Sequence, residues 1–173
     1  MFRPTPGAPG YASGSGGLQE SAPVSGERDV DRRVFLVTGA TGRVGTEAVS
    51  LLARDARRPE VRVATRDVES ARARLLARFA ADRVRPVPFD VDDADMLAGA
   101  MDGVTDLIVV PPLMPDMEGW HRRLAGAARD GGCRHIVKVS VTGAREAAAQ
   151  PPPGPIPLQP FLGEEALREA GIP

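Results

Sequence analysis

Three glycines at a three-residue spacing form the first group of residues in this chain with the chemistry to bind a ligand. The stretch VTGATGRVG contains Gly39, Gly42 and Gly45, between a short apolar run and an amphipathic one. In such a turn the first glycine permits a sharp bend, the second lets a pyrophosphate approach the backbone, and the third allows close helix packing. Free N–H groups near Arg43 and Val44 would favour the negative charge. The alternative is a plain glycine-rich connection between a strand and a helix.

The context of the glycines favours a dinucleotide. VFLVT, which precedes them, is typical of a strand buried on both faces, and apolar residues at helical spacing follow. A glycine triplet between a strand and a helix is the fingerprint of dinucleotide binding. Neither GKS nor GKT occurs in this stretch, which excludes the phosphate loop of nucleotide triphosphatases.

The residues about 20 positions after the glycines indicate which dinucleotide is bound, because an acidic residue there usually binds the ribose 2′-hydroxyl of NAD. This chain has Thr65 and Arg66 at that place. A hydroxyl and a guanidinium suit a 2′-phosphate, so the sequence favours NADP. NAD stays possible, since Asp67 follows directly and Arg66 is one of many arginines that solvent could surround.

Apolar runs and amphipathic stretches alternate along the rest of the chain, which predicts an α/β fold. The expected architecture is a Rossmann-like, doubly wound parallel sheet of five strands in the order 3-2-1-4-5, with right-handed crossovers. Strands are predicted at Val34–Thr38, Val61–Thr65, Arg85–Val91, Asp106–Val110 and His135–Val141, helices at Val44–Ala56, Val68–Asp82, Asp93–Gly103, Met117–Gly132 and Phe161–Pro173, and an extended proline-rich loop at Pro151–Pro160.

Length and composition restrict the class of protein. The chain has 173 residues, a net charge of -1 and one cysteine. We expect residues 1–30, rich in Gly, Pro and Ser, to be a disordered tail, and residues 31–173 to form one NAD(P)-binding domain. The charge argues against nucleic acid as a partner, and no apolar run is long enough for a membrane span. A single cysteine excludes an intrachain disulfide and fits a cytoplasmic protein.

Five segments resemble one family in their order and spacing. LVTGATGRVG, VRVATRD, FDVDDADML, GVTDLIVVPP and GCRHIVKVSVTGA are similar to the NmrA-like branch of the atypical short-chain dehydrogenases/reductases, over roughly residues 34–173. The resemblance implies NADP or NAD bound on a Rossmann fold. It implies either reduction of quinones, aromatic ethers or similar small molecules, or sensing of redox state through the cofactor.

The resemblance also implies a set of cofactor contacts. It assigns the 2′-phosphate to Arg66, and the adenine to Asp90 and Val91, which end the third predicted strand; Asp92 or Asp93 would cap the next helix. The pair Pro111 and Pro112 would flank the nicotinamide ribose, or simply stiffen the loop. The residues that would surround the pyrophosphate are Gly39, Thr41, Gly42, Arg43, Val44 and Gly45.

The chain departs from the usual reductase pattern in its catalytic residues. Short-chain reductases typically use Tyr-x-x-x-Lys, and the only tyrosine here is Tyr11 in the tail. Lys138 and Ser140 are the remaining catalytic candidates, since residues two apart on a strand share a face. The alternative is that Lys138 extends along a helix and Ser140 merely ends the strand. Two isolated histidines argue against a metal site.

Three functional hypotheses follow from these observations. The first is an NADP(H)-dependent oxidoreductase that acts on a small carbonyl or quinone-like substrate. The second is a non-catalytic NADP-binding sensor or regulatory module, and the third is an inactive fragment, because the substrate-binding part that the resemblance implies is absent. An open edge at the fifth strand would also permit a homo-oligomer.

Overall fold

The computed structural model describes residues 33–79, 83–149 and 155–173, and the predicted tail at residues 1–30 lies outside them. Strands and helices alternate along the described chain. In chain order the elements are β1 (Val34–Val37), α1 (Arg43–Arg54), β2 (Glu60–Thr65), α2 (Val68–Leu76), β3 (Val84–Pro88), α3 (Ala94–Met101), β4 (Asp106–Val109), α4 (Met117–Asp130), β5 (His135–Lys138), α5 (Ala144–Ala148) and α6 (Pro155–Glu169).

The five strands form one parallel sheet in the order β3-β2-β1-β4-β5, as predicted. In its centre, Val37 pairs with Val63 on one side and with Ile108 on the other. Apolar residues fill these strands because a parallel sheet is covered on both faces. The order places the carboxyl ends of β1 and β4 side by side, where the chain turns outward in opposite directions and where ligands bind in open α/β sheets.

Two apolar clusters cover the two faces of the sheet. Leu36 belongs to a cluster that includes Leu107 and Leu124, on the side of α3 and α4. The next residue, Val37, belongs to a second cluster with Val49 and residues of β2. Successive side chains on a strand point to opposite faces, so β1 anchors both layers.

Aspartate side chains begin three of the helices. Asp67, Asp93 and Asp116 each accept a hydrogen bond from a backbone N–H in the first turn of α2, α3 and α4, respectively. These bonds satisfy donors that have no partner inside the helix. The prediction that Asp92 or Asp93 caps α3 is confirmed for Asp93. Helix α1 differs, since its N-cap residue is Gly42 and no side chain caps it.

Several predicted boundaries are wrong. The extended loop predicted up to Pro160 is helical from Pro155. Pro155 and Pro157 fall in the first turn, where the N–H groups have no partner in the helix, whereas Pro160 lies inside the helix. Strand β5 ends at Lys138 rather than at Val141. Strand β3 ends at Pro88, so the predicted adenine contacts lie beyond it. Helix α2 ends at Leu76, and α5 was not predicted.

No helix in the described ranges has the length and hydropathy needed to cross a membrane. Within the same ranges, no group of three or more His, Cys, Asp or Glu residues could hold a metal ion.

Candidate cofactor-binding site

The glycines of the turn after β1 meet different spatial demands. Gly39 has a φ of +59°, and a Cβ there would lie 2.4 Å from the carbonyl oxygen of Val110. A Cβ on Gly45 would lie 2.3 Å from the carbonyl oxygen of Gly39 and 2.6 Å from Cα of Ala40. These two positions admit only glycine, because side chains cannot overlap backbone atoms. Gly39 therefore makes the bend, and Gly45 lets α1 pack against the turn.

Gly42 stands in more open surroundings. A Cβ there would meet one atom within 4 Å, the carbonyl oxygen of Gly39 at 3.3 Å, and the φ of -83° suits any residue. The packing of the protein therefore does not require glycine at this position. The space that a side chain would occupy at Gly42 is open to a ligand, which fits the close approach of a pyrophosphate.

The N-terminus of α1 fits an anion. The N–H of Gly42 binds the carbonyl oxygen of Gly39 at 3.0 Å, and the hydroxyl of Thr46 donates to the carbonyl of Ala40 at 2.8 Å, so the turn is internally fixed. Among the described residues, the N–H groups of Arg43 and Val44 have no hydrogen-bond partner, and no acidic side chain lies in this first turn. These donors and the positive end of the helix dipole favour a phosphate.

Two charged residues follow β2: Arg66 is exposed, and the carboxylate of Asp67 is hydrogen-bonded to the first turn of α2. Arg66 lies exposed directly after the strand and forms no ion pair with a described residue. The carboxylate of Asp67 accepts a hydrogen bond from the N–H of Ser70 at 2.9 Å. The hydroxyl of Thr65 accepts one from the N–H of Asp67 at 3.1 Å. The acid that the sequence offered as a ribose ligand is therefore engaged in capping α2.

The remaining predicted cofactor contacts lie at the carboxyl edge but differ in exposure. Asp90 is in the turn after β3, and its carboxylate accepts a hydrogen bond from the N–H of Asp92 at 3.0 Å. Val91 is 3% exposed and packs in the core cluster, so its side chain supports the turn from within. Pro111 is half-buried and Pro112 is exposed in the loop after β4.

Lys138 and Ser140 do not share a strand face, because Ser140 follows the end of β5. Both nevertheless contact α6. Nζ of Lys138 donates long hydrogen bonds of 3.4 Å to the carbonyl oxygens of Val139 and Pro160. The hydroxyl of Ser140 donates to Oε1 of Glu164. Helix α6 thus brings the two candidates into one region.

Glu164 is the residue of this region that the sequence did not indicate. Its side chain is 19% exposed and also pairs with Arg168 at 3.4 Å. Burial lowers the pKa of Lys138, and the nearby carboxylate of Glu164 acts in the opposite direction. The carboxylate of Glu164 thus accepts a hydrogen bond from Ser140, pairs with Arg168 and acts electrostatically on Lys138. No local pattern identifies it, since 24 positions separate it from Ser140.

His121 lies buried in α4 beside this region. Its Nδ1 is 2.6 Å from the carbonyl oxygen of Met117, and its ring stands edge-on to Trp120 at 4.9 Å. Burial lowers the pKa of His121, although the bond to Met117 opposes this shift. A Cβ on Gly163 would come within 2.7 Å of Nδ1, so a glycine lets α6 approach α4 here. The imidazole therefore packs between α4 and α6, and its buried Nε2 has no hydrogen-bond partner among the described residues.

Comparisons with known proteins agree with this geometry. A family model described as NAD(P)H-binding matches residues 39–169. The NAD(P)H azoreductase of Xenophilus azovorans is 33% identical over 141 residues, which cover 80% of this chain and 45% of that protein. The (4-alkanoyl-5-oxo-2,5-dihydrofuran-3-yl)methyl phosphate reductase of Streptomyces griseus is 36% identical over 142 residues, or 81% of this chain and 45% of that protein.

Solved structures show the same fold. The triphenylmethane reductase of Citrobacter sp., crystallised with NADP(H), superposes with a TM-score of 0.67 at 26% identity, over 81% of this chain and 47% of that one. The chain thus spans about half the length of the relatives that it matches. With the glycine turn, the strand order and the match over most of its length, the chain belongs to the NAD(P)H-binding family, among the NmrA-like atypical short-chain dehydrogenases/reductases.

Proposed function

We propose that this chain is the cofactor-binding part of an NADP(H)-dependent oxidoreductase that acts on a small carbonyl or quinone-like compound. The observation that carries the proposal is the N-terminus of α1, where the turn is fixed, no side chain caps the helix, and the space at Gly42 is open. The three matched relatives are named as reductases, and each of them is about twice as long as the matching region.

The proposed site assigns one task to each group of residues. The backbone from Gly39 to Gly45 holds the pyrophosphate, with Thr41 exposed beside it. Arg66 faces a 2′-phosphate, since Asp67 is occupied in capping α2. The turn at Asp90 and Val91 borders the adenine, and Pro111 and Pro112 border the nicotinamide ribose.

Reduction of a carbonyl needs a hydride at the carbon and a proton at the oxygen. The bound cofactor would supply the hydride, and a residue of the protein must supply the proton. Lys138 is our candidate donor of that proton, because its half-buried ammonium contacts α6 in the same region as Ser140, and partial burial lowers its pKa, so that the proton is released more readily. The hydroxyl of Ser140 donates its proton to Glu164, so its oxygen can only accept a hydrogen bond, and it would orient a substrate through an N–H or O–H group of that substrate rather than through the carbonyl oxygen. These residues replace the absent Tyr-x-x-x-Lys pair in the proposal.

The first test is calorimetric titration of the purified chain with NADPH and NADH, followed by NADPH oxidation with a panel of quinones and azo compounds. We expect NADPH to bind and to be consumed, and Lys138→Met to slow turnover while NADPH affinity stays unchanged. Binding without turnover would support the regulatory module instead. Absence of binding to a folded sample would overturn the proposal.

We infer in addition that the outer face of β5 permits self-association. Val137 in β5 is 61% exposed, and Val139 and Val141, which follow the end of the strand, are 37% and 45% exposed. Ile108, which pairs with Val137, packs under α1, whereas no described helix packs over Val137 itself. An exposed row of valines at a sheet edge favours contact with another copy. Sedimentation velocity at increasing concentration tests this inference, and a monomer throughout would contradict it.

A further inference from the structure

A cavity between α1 and α2 connects the glycine turn with a cation outside the predicted contacts. The cavity has a volume of about 360 Å³, and its wall includes Thr41 of the turn, Thr46 of α1, and Ala71 and Arg74 of α2. Residues separated by 33 positions, Thr41 and Arg74, therefore border the same space. This space begins at the turn that receives the phosphates in the proposed function.

Arg74 is the cation of this wall best placed to meet an anion. It is exposed and forms no ion pair with a described residue. Arg78 also borders the cavity, but its guanidinium lies over the ring of Phe79, 6.0 Å from the centroid. Arg72, on the same helix, does not border the cavity and lies 4.0 Å from Glu69.

Among the residues that the structure describes, no acidic side chain lines this cavity. Asp67, the acid nearest the end of β2, caps α2 through the N–H of Ser70. A ribose with free hydroxyls would gain little from the guanidinium of Arg74 with no carboxylate beside it. A phosphate monoester carries a charge of about -1.5 to -2 at neutral pH and accepts several charge-assisted hydrogen bonds.

We propose that Arg74 is a second specificity-determining residue, which acts together with Arg66 to select a dinucleotide that carries a phosphate on its adenosine ribose. The inference rests on the proposed function and adds to it a contact from the last turn of α2. Thr41, in the glycine turn, borders the same cavity as Arg74, so its hydroxyl would serve the same phosphate group.

Calorimetric titration with NADPH, NADH and 2′,5′-ADP tests this inference on the full chain. We expect Arg74→Ala to weaken NADPH and 2′,5′-ADP binding by about tenfold, which corresponds to about 1.4 kcal/mol, and to leave NADH unchanged. Arg74→Lys should restore part of the affinity, because the charge returns without the planar fork. Arg72→Ala is the matched control, on the same helix but outside the cavity, and should bind as wild type.

The outcomes separate this inference from the proposed function. If wild type binds NADPH and Arg74→Ala binds both NADPH and NADH as tightly as wild type, the role of Arg74 is refuted and the proposed function stands. If Arg74→Ala weakens NADH equally, Arg74 supports the fold of the site and does not select the cofactor. If folded wild type binds neither dinucleotide, both proposals fail. Melting temperatures of all variants exclude unfolding as the cause.

Discussion

Gly39→Ala and Gly42→Ala should affect different properties. Gly39 is required by the backbone of the turn, so its replacement should reduce stability, whereas Gly42 leaves space for a ligand, so its replacement should reduce cofactor affinity. At Gly39 the left-handed backbone costs a residue with a side chain about 1 to 2 kcal/mol. The overlap with the carbonyl oxygen of Val110, at 2.4 Å, adds about 1 to 3 kcal/mol of backbone displacement. We therefore expect Gly39→Ala to lose about 2 to 5 kcal/mol of stability.

Gly42→Ala should behave differently. Its backbone is extended, with a φ of -83°, and the new Cβ would approach a single atom at 3.3 Å. The unliganded variant should remain within about 1 kcal/mol of wild type, since alanine is only a poorer N-cap than glycine. The methyl group would project into the proposed phosphate site, so NADPH affinity should fall by at least about tenfold.

Thermal unfolding by circular dichroism and calorimetric titration with NADPH separate the two effects. The Tm of Gly39→Ala should fall by roughly 4 to 20 °C, at about 2 to 4 °C per kcal/mol for a chain of this size. The Tm of Gly42→Ala should change by roughly 4 °C or less. Wild-type NADPH affinity in Gly42→Ala would refute the placement of the pyrophosphate at α1, and an unchanged Tm in Gly39→Ala would refute the strained turn.

Two further predictions concern stability away from the cofactor. Asp106 is buried and pairs with Arg33, which is 42% exposed, so Asp106→Asn should cost about 1 to 3 kcal/mol, less than for a fully buried pair. Burial raises the pKa of Asp106, but the hydrogen bonds from Arg33 and Thr105 outweigh burial, so the pKa is lowered overall. The ionised carboxylate therefore stabilises the fold at neutral pH, and this stabilisation is lost as the pH falls below about 4. The difference in Tm between variant and wild type should narrow there, and a constant difference from pH 3 to 7 would contradict this reasoning. Gly163→Ala should destabilise the protein by about 1 to 3 kcal/mol, because its Cβ would lie 2.7 Å from the His121 ring. An unchanged denaturant midpoint would contradict this prediction and show that α6 can shift away from His121 without loss of stability.

The sequence predicted the features that depend on neighbours along the chain. Alternation of apolar runs and amphipathic stretches is local, and it was sufficient to predict five parallel strands; their order was predicted from the Rossmann-like fold that the glycine motif and the family resemblance imply. The glycine spacing is also local, and it indicated the turn that Gly39 and Gly45 form. The strand ends were less accurate, because valines continue past β5 although its pairing stops at Lys138.

Tertiary structure decided which distant residues meet. Packing of α6 brings Glu164 to Ser140, packing of α2 beside α1 brings Arg74 to the cavity of Thr41, and packing of α4 buries His121. It also showed that the carboxylate of Asp67 is occupied by a helix cap, a choice that the sequence left open. These contacts join residues far apart in the chain, and a local pattern carries no information about which helix faces will meet.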